Sequence, residues 1–111
     1  MTNKELVYTA FTELFIKGDV TALDRYWSAD YIQRNSPTGN GGESAKQLLG
    51  SMPPGFKCEI GLVLADGDYV MVHSRYTGIA PRPLIAVDIF YVRDGKLAEH
   101  WDVMQEEVSL V

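Results

Sequence analysis

At 111 residues the chain is long enough to bury one real core and too short for two domains, so residues 1–111 are expected to form a single domain. A formal net charge of −5, with no Lys/Arg cluster interleaved with aromatics, argues against nucleic acid and anionic membrane as partners. The only cysteine, Cys58, excludes an intrachain disulfide and a cysteine-based zinc site, and its apolar surroundings in sequence make it a small core residue.

The N-terminal stretch MTNKELVYTA has no basic segment followed by a long apolar one, so no signal peptide is expected. No apolar run approaches the roughly 20 residues of a membrane span. A cytoplasmic protein is the expectation. Thr2 and Glu5 have the spacing of a capping box, and Leu6, Val7, Ala10, Phe11, Leu14 and Phe15 follow at helical intervals. Gly18 can close this helix. Asp19 can cap a shorter second helix running to about Trp27, with Leu23, Tyr26 and Trp27 on one side.

Tyr31 to Asn35 reads as a short extended piece, ended by Ser36-Pro37. The glycine-rich stretch Thr38 to Gly42 lacks the length and the Lys-Ser/Thr ending of a phosphate-binding loop. A third helix is expected from Glu43 to about Met52, stopped by Pro53-Pro54-Gly55. The period then changes to two. Strands are expected at Phe56–Ala65, Tyr69–Gly78, Leu84–Val92 and Lys96 to about Glu107. Helices first and antiparallel strands after is an α+β pattern.

The last two strands carry the chemistry. Asp88, His100 and Asp102 interrupt runs that should be largely apolar on a buried face. A two-residue loop, Asp94-Gly95, would set Asp88 opposite Trp101. A three-residue loop, Arg93-Asp94-Gly95, with Gly95 left-handed in a bulge, would set Asp88 opposite His100 and Ala86 opposite Asp102. The three-residue loop is favoured. It gathers Asp88, His100 and Asp102 on one face and leaves Trp101 and Val103 with Val87, Ile89 and Tyr91 on the other. Two carboxyls enclosed in one pocket cannot both ionise cheaply, and a carboxyl titrating near neutrality suits acid/base work. The plain alternative is a solvated cross-strand ion pair of little consequence. His73 belongs to the more polar outer set of its strand. No HxH or HExxH spacing supports a metal site, and neither metal nor cofactor is expected. Trp27, Tyr31, Tyr76, Phe90 and Met104 are candidate walls of a pocket for a small hydrophobic ligand, and equally plain core.

The run VDIFYVRDGKLAEHWDVMQ resembles the C-terminal signature D-x-F-x-x-x-D-G-K-[IL]-x-E-H-W-D of the SnoaL-like polyketide cyclase family, within the nuclear-transport-factor-2-like superfamily. The Tyr-Ile-x-x-Asn-x-Pro segment at Tyr31–Pro37 and Asp66-Gly67-Asp68 extend the resemblance over nearly the whole chain. It implies a cone-shaped α+β fold with three N-terminal helices packed on a curved, mostly antiparallel sheet. Ketosteroid isomerase, scytalone dehydratase and limonene epoxide hydrolase share that fold. By position, Asp102 matches the acid/base aspartate of the polyketide cyclases and aligns with a catalytic carboxylate of the epoxide hydrolase. His100 matches a histidine two residues earlier, and Asn35 a pocket asparagine. Asp88 stands where the cyclases carry a second histidine, which puts their aldol ring closure in doubt. The hydrolase's Arg-Asp pair has no counterpart near Ser74 and Tyr76, so epoxide hydrolysis is not supported. Arg34 replaces a common histidine.

The function expected is a cofactor-independent acid/base enzyme, an isomerase, dehydratase (lyase) or aldol-type cyclase acting on a small hydrophobic carbonyl or hydroxy compound. Asp102, Asp88 and His100 would be catalytic, with Asn35 on the substrate. The alternative is a non-catalytic dimeric module that binds a small lipophilic ligand. The apolar outer face around Trp101 needs cover, and the resemblance implies a homodimer packed sheet to sheet.

Overall fold

The computed structural model describes residues 1–34 and 55–108. The capping box forms as its spacing implies: Glu5 N donates to Thr2 Oγ1 at 3.1 Å, and Thr2 N donates back to Glu5 Oε1 at 3.0 Å. It starts α1 (Asn3–Phe11), which buries Leu6, Val7, Ala10 and Phe11. The helix then widens into a π-helical turn, Thr12–Ile16, where Lys17 N reaches five residues back to Thr12 O. Gly18, at φ 69°, closes it in the left-handed region that glycine enters without strain. The second helix is shorter than its periodicity implies. Asp19 Oδ1 accepts from Thr21 N at 3.0 Å and holds a turn, so α2 spans only Ala22–Tyr26. Trp27 is already extended and opens β1 (Trp27–Gln33), several residues before the extended piece expected at Tyr31. The expected third helix, the glycine-rich loop and Asn35 lie outside the described residues.

The four later strands are β2 (Lys57–Asp66), β3 (Tyr69–Thr77), β4 (Leu84–Arg93) and β5 (Lys96–Glu106). Each boundary falls within a residue of where the alternation places it. The five strands form one sheet in the order β1-β5-β4-β3-β2. Consecutive strands pair antiparallel, whereas β1 crosses to the far edge and pairs parallel with β5. Helix α1 covers the inner face over β2 and β3, and Phe11 meets Phe90 edge to face at 6.3 Å. Val70, Val72, Phe90 and Val92 are buried beneath it. No helix among the described residues is long and apolar enough to cross a membrane.

Two one-residue irregularities set the faces. In β2, pairing moves from Ile60↔Ser74 to Val63↔Val72, which leaves an extra residue around Gly61. A Cβ at Gly61 would stand 3.1 Å from the His73 carbonyl oxygen, so any side chain there needs the neighbouring strand to give by a few tenths of an ångström. The second irregularity lies in the β4–β5 hairpin and revises the expected loop. Asp94 and Gly95 have φ 53° and 72°, the paired positive values of a two-residue type I′ turn, and Arg93 pairs directly with Lys96. A bulge follows at once. Val92 opposes Leu97, but Tyr91 opposes Glu99, so Ala98 is the inserted residue. Leu97 and Ala98 are adjacent yet both buried, at 0% and 1% exposure, as a bulge permits and an unbroken strand does not.

The bulge does what the longer loop was expected to do. A two-residue loop alone would turn His100 and Asp102 away from Asp88; Ala98 turns them back. The pairing also slides along the strand, so Asp88 opposes Asp102, not His100, and His100 opposes Phe90. The outer face is as expected: Ile89 opposes Trp101, Val87 opposes Val103, and His73 pairs with Val87.

Candidate active site

Three neighbouring strands, β1, β5 and β4, deliver the polar cluster to the inner face, and β3 adds a fourth contribution. Asp88 and His100 are 4% and 6% exposed, which removes the solvated ion pair from consideration. His100 Nε2 lies 2.7 Å from Asp88 Oδ1. Tyr76 Oη, from β3, donates to Asp88 Oδ2 over 3.3 Å. The other imidazole nitrogen, Nδ1, lies 2.9 Å from Gln33 Oε1 and 3.8 Å from Asp102 Oδ2. Gln33 is held in turn by Tyr31, whose hydroxyl donates to Oε1 at 2.6 Å. The Phe90 ring lies against the imidazole, with centroids 4.7 Å apart.

Asp102 is only half-buried, so it is the cluster's open end. Burial raises its carboxyl above the ordinary value; His100 pulls it down, and Asp88 adds to the rise. The Tyr31 and Tyr76 phenols are driven upward, foremost by burial, and stay protonated donors. Cys58, on β2, is buried, and its thiol is pushed up to about 11, so it is no nucleophile near neutrality.

The candidate ligand atoms of Asp88, His100 and Asp102 lie within 4.8 Å of one another. His100 Nε2 already faces Asp88, and Nδ1 faces the Gln33 amide. A cation would have to break one of these hydrogen bonds, so proton chemistry is the better fit to the donor set.

Of the expected pocket walls, Trp27, Tyr31, Tyr76 and Phe90 are buried. Trp27 meets Phe90 edge to face at 6.4 Å and belongs to the core. Tyr31 and Tyr76 turn their hydroxyls to the cluster. Met104 lies further along β5, opposite Ala86, and is 47% exposed, so it stands apart from this enclosed set. Arg34 pairs with Glu99 at 2.6 Å and not with the cluster. Gln33 was not expected. Its signal was the Tyr31-x-Gln33 alternation, which places both side chains on one face of an extended segment.

The description of the SnoaL-like domain matches residues 8–100. The chain belongs to the SnoaL-like family. This SnoaL-like chain also resembles solved structures of the same fold. It aligns with a protein provisionally assigned as a ketosteroid isomerase from Kribbella flavida at TM-score 0.81 and 18% identity, over 96% of this chain and 80% of the other. TsrD from Streptomyces laurentii aligns at TM-score 0.78 and 19% identity, covering 94% and 89%. A protein provisionally assigned as a polyketide cyclase from Bacillus cereus aligns at TM-score 0.76 and 23% identity, covering 93% and 74%. No curated protein matches the chain. At these identities the likeness establishes the nuclear-transport-factor-2-like fold, which hosts many chemistries.

Proposed function

We propose that this SnoaL-like domain is a cofactor-independent acid/base enzyme acting on a small hydrophobic carbonyl or hydroxy compound. The observation that carries the reading is a half-buried carboxyl, Asp102, with a raised titration point, set against the buried Asp88–His100 pair. Asp102 takes a proton from carbon next to a carbonyl and returns it to carbon, to a leaving hydroxyl or to a new aldol oxygen. These are the steps of isomerisation, dehydration and ring closure. Asp88 and His100 tune Asp102 or stabilise the developing oxygen, and Asn35 binds the substrate. Tyr31, Tyr76 and Phe90 form the apolar side of the site.

Deuterium uptake from D2O tests this without knowledge of the product. In a panel of cyclic ketones, enones and β-keto esters, at least one should exchange its α-proton. Asp102→Asn should slow that exchange by about 100-fold or more. Unchanged exchange in both Asp102→Asn and Asp88→Asn would refute the reading. An intact lipophilic molecule seen by native mass spectrometry, with no exchange in any compound, would favour a binding module. The outer face is proposed to pair two copies. Val103 is 67% exposed there, and Tyr69 reaches both Tyr91 and Trp101, with ring centroids 5.3 and 6.3 Å away. Val103→Arg should turn a dimer into a monomer by light scattering; a wild-type monomer would refute the pairing.

A further inference from the structure

The polar chain Tyr31–Gln33–His100–Asp88 crosses three strands, and its hydrogen-bond directions constrain one another. Tyr31 is 3% exposed, so its hydroxyl proton needs an acceptor, and among the described residues that acceptor is the Gln33 amide oxygen. The reversed amide would present its NH2 to Tyr31 and strand the phenol proton. With the oxygen in place, the imidazole nitrogen facing it at 2.9 Å must bring a hydrogen. Asp102 Oδ2, 3.8 Å from the same nitrogen, is a second acceptor on that side.

We propose that Gln33 is a positioning residue that keeps the His100 proton on Nδ1 and thereby makes the Asp88–His100 pair electrically neutral. An Nδ1-protonated imidazole whose Nε2 lies 2.7 Å from a carboxyl oxygen needs one more proton between the two atoms. That proton sits on Asp88 or on Nε2; either way the pair is neutral. Without the Gln33 oxygen, the imidazole turns its single proton to Nε2, Asp88 is a bare carboxylate, and the pair carries a full negative charge. Gln33 therefore removes one negative charge from beside Asp102 and leaves an N–H donor facing it. Among the described residues, the groups bearing on His100 and Asp88 are Asp102 on β5, Tyr76 on β3, Tyr31 on β1 and Cys58 on β2. The buried residues of α1 and α2 add no ionisable group. The role in catalysis rests on the enzyme reading above; the proton's position does not.

The test is 15N NMR of the free protein at neutral pH, reading both ring nitrogens. The chain has only two histidines, so His73→Asn assigns the spectrum. Nδ1 of His100 should be protonated in the wild type. It should become the bare nitrogen in Gln33→Leu and be protonated again in Gln33→Glu, which restores an acceptor oxygen. Tyr31→Phe, a milder change should Gln33→Leu fail to fold, should lower the Nδ1-protonated fraction. A bare Nδ1 in the wild type, or a spectrum indifferent to both Gln33→Leu and Tyr31→Phe, overturns the proposal and leaves the enzyme reading standing. Full activity of Asp102→Asn with a protonated Nδ1 would do the reverse.

Discussion

The Asp88–His100 pair offers the sharpest test of burial, because a buried pair and an exposed pair behave oppositely when one partner is removed. The side chains are 6% and 8% exposed and meet at 2.7 Å. His100→Leu keeps much of the ring's volume but leaves Asp88, among the described residues, with the long Tyr76 hydrogen bond, 3.3 Å away. Stranding a buried carboxyl in this way costs about 3–5 kcal/mol. Asp88→Leu strands the imidazole nitrogen and the Tyr76 hydroxyl, at about 1–3 kcal/mol. The double variant strands less than the two singles together, so the cycle should close with a coupling of about 2–3 kcal/mol. Urea unfolding at fixed protein concentration measures all four proteins. With an m-value of about 1.5 kcal/mol/M, His100→Leu should lower the midpoint by about 2 M or more. A loss under about 1 kcal/mol with additive singles is the behaviour of an exposed pair and would refute the buried-dyad reading.

The raised carboxyl of Asp102 makes ionisation unfavourable to the fold. Its contribution to stability is complete below about pH 4, the unfolded value, and is lost as pH rises through the higher folded value. The stability of Asp102→Asn relative to wild type should therefore climb through that window and then level off, as urea midpoints at a series of pH values will show; a flat difference would contradict the shift. Cys58, with its thiol at about 11, should react slowly with a disulfide reagent at pH 8 and readily once urea is added; equal rates would place it at the surface. Gly95→Ala, at φ 72°, should cost about 1–2 kcal/mol by thermal or urea unfolding, since the I′ turn needs a left-handed residue there.

Strand positions were legible because alternation and turn residues agree from Phe56 onward. The site's face was legible too, for a different reason from the one the turn suggested. Asp-Gly suits both a two-residue and a bulged three-residue loop, so the turn alone cannot distinguish them. The adjacent apolar pair Leu97-Ala98 breaks the alternation and marks the bulge, a signal easily read as noise beside a turn. Gln33 was hidden because its importance depends on β1 crossing the whole sheet to lie parallel with β5, a pairing between residues 67 positions apart. Local pattern carries no record of such a contact. The early end of α2 at Tyr26 reflects the same competition: Trp27 fits a helical stripe, but the sheet edge takes it.

The bulge at Ala98 also bears on how this hairpin can change in length. Every residue of β5 after Ala98 is committed to a face by the parity of the residues before it. Losing or gaining one residue between Gly95 and Glu99 would move His100 and Asp102 outward and send Trp101 and Val103 into the core. Length changes here are compatible with the site only in pairs, or when a second irregularity cancels the first. Two hairpins of different length can thus present the same three polar side chains inward, and hairpins of equal length can differ in whether they do.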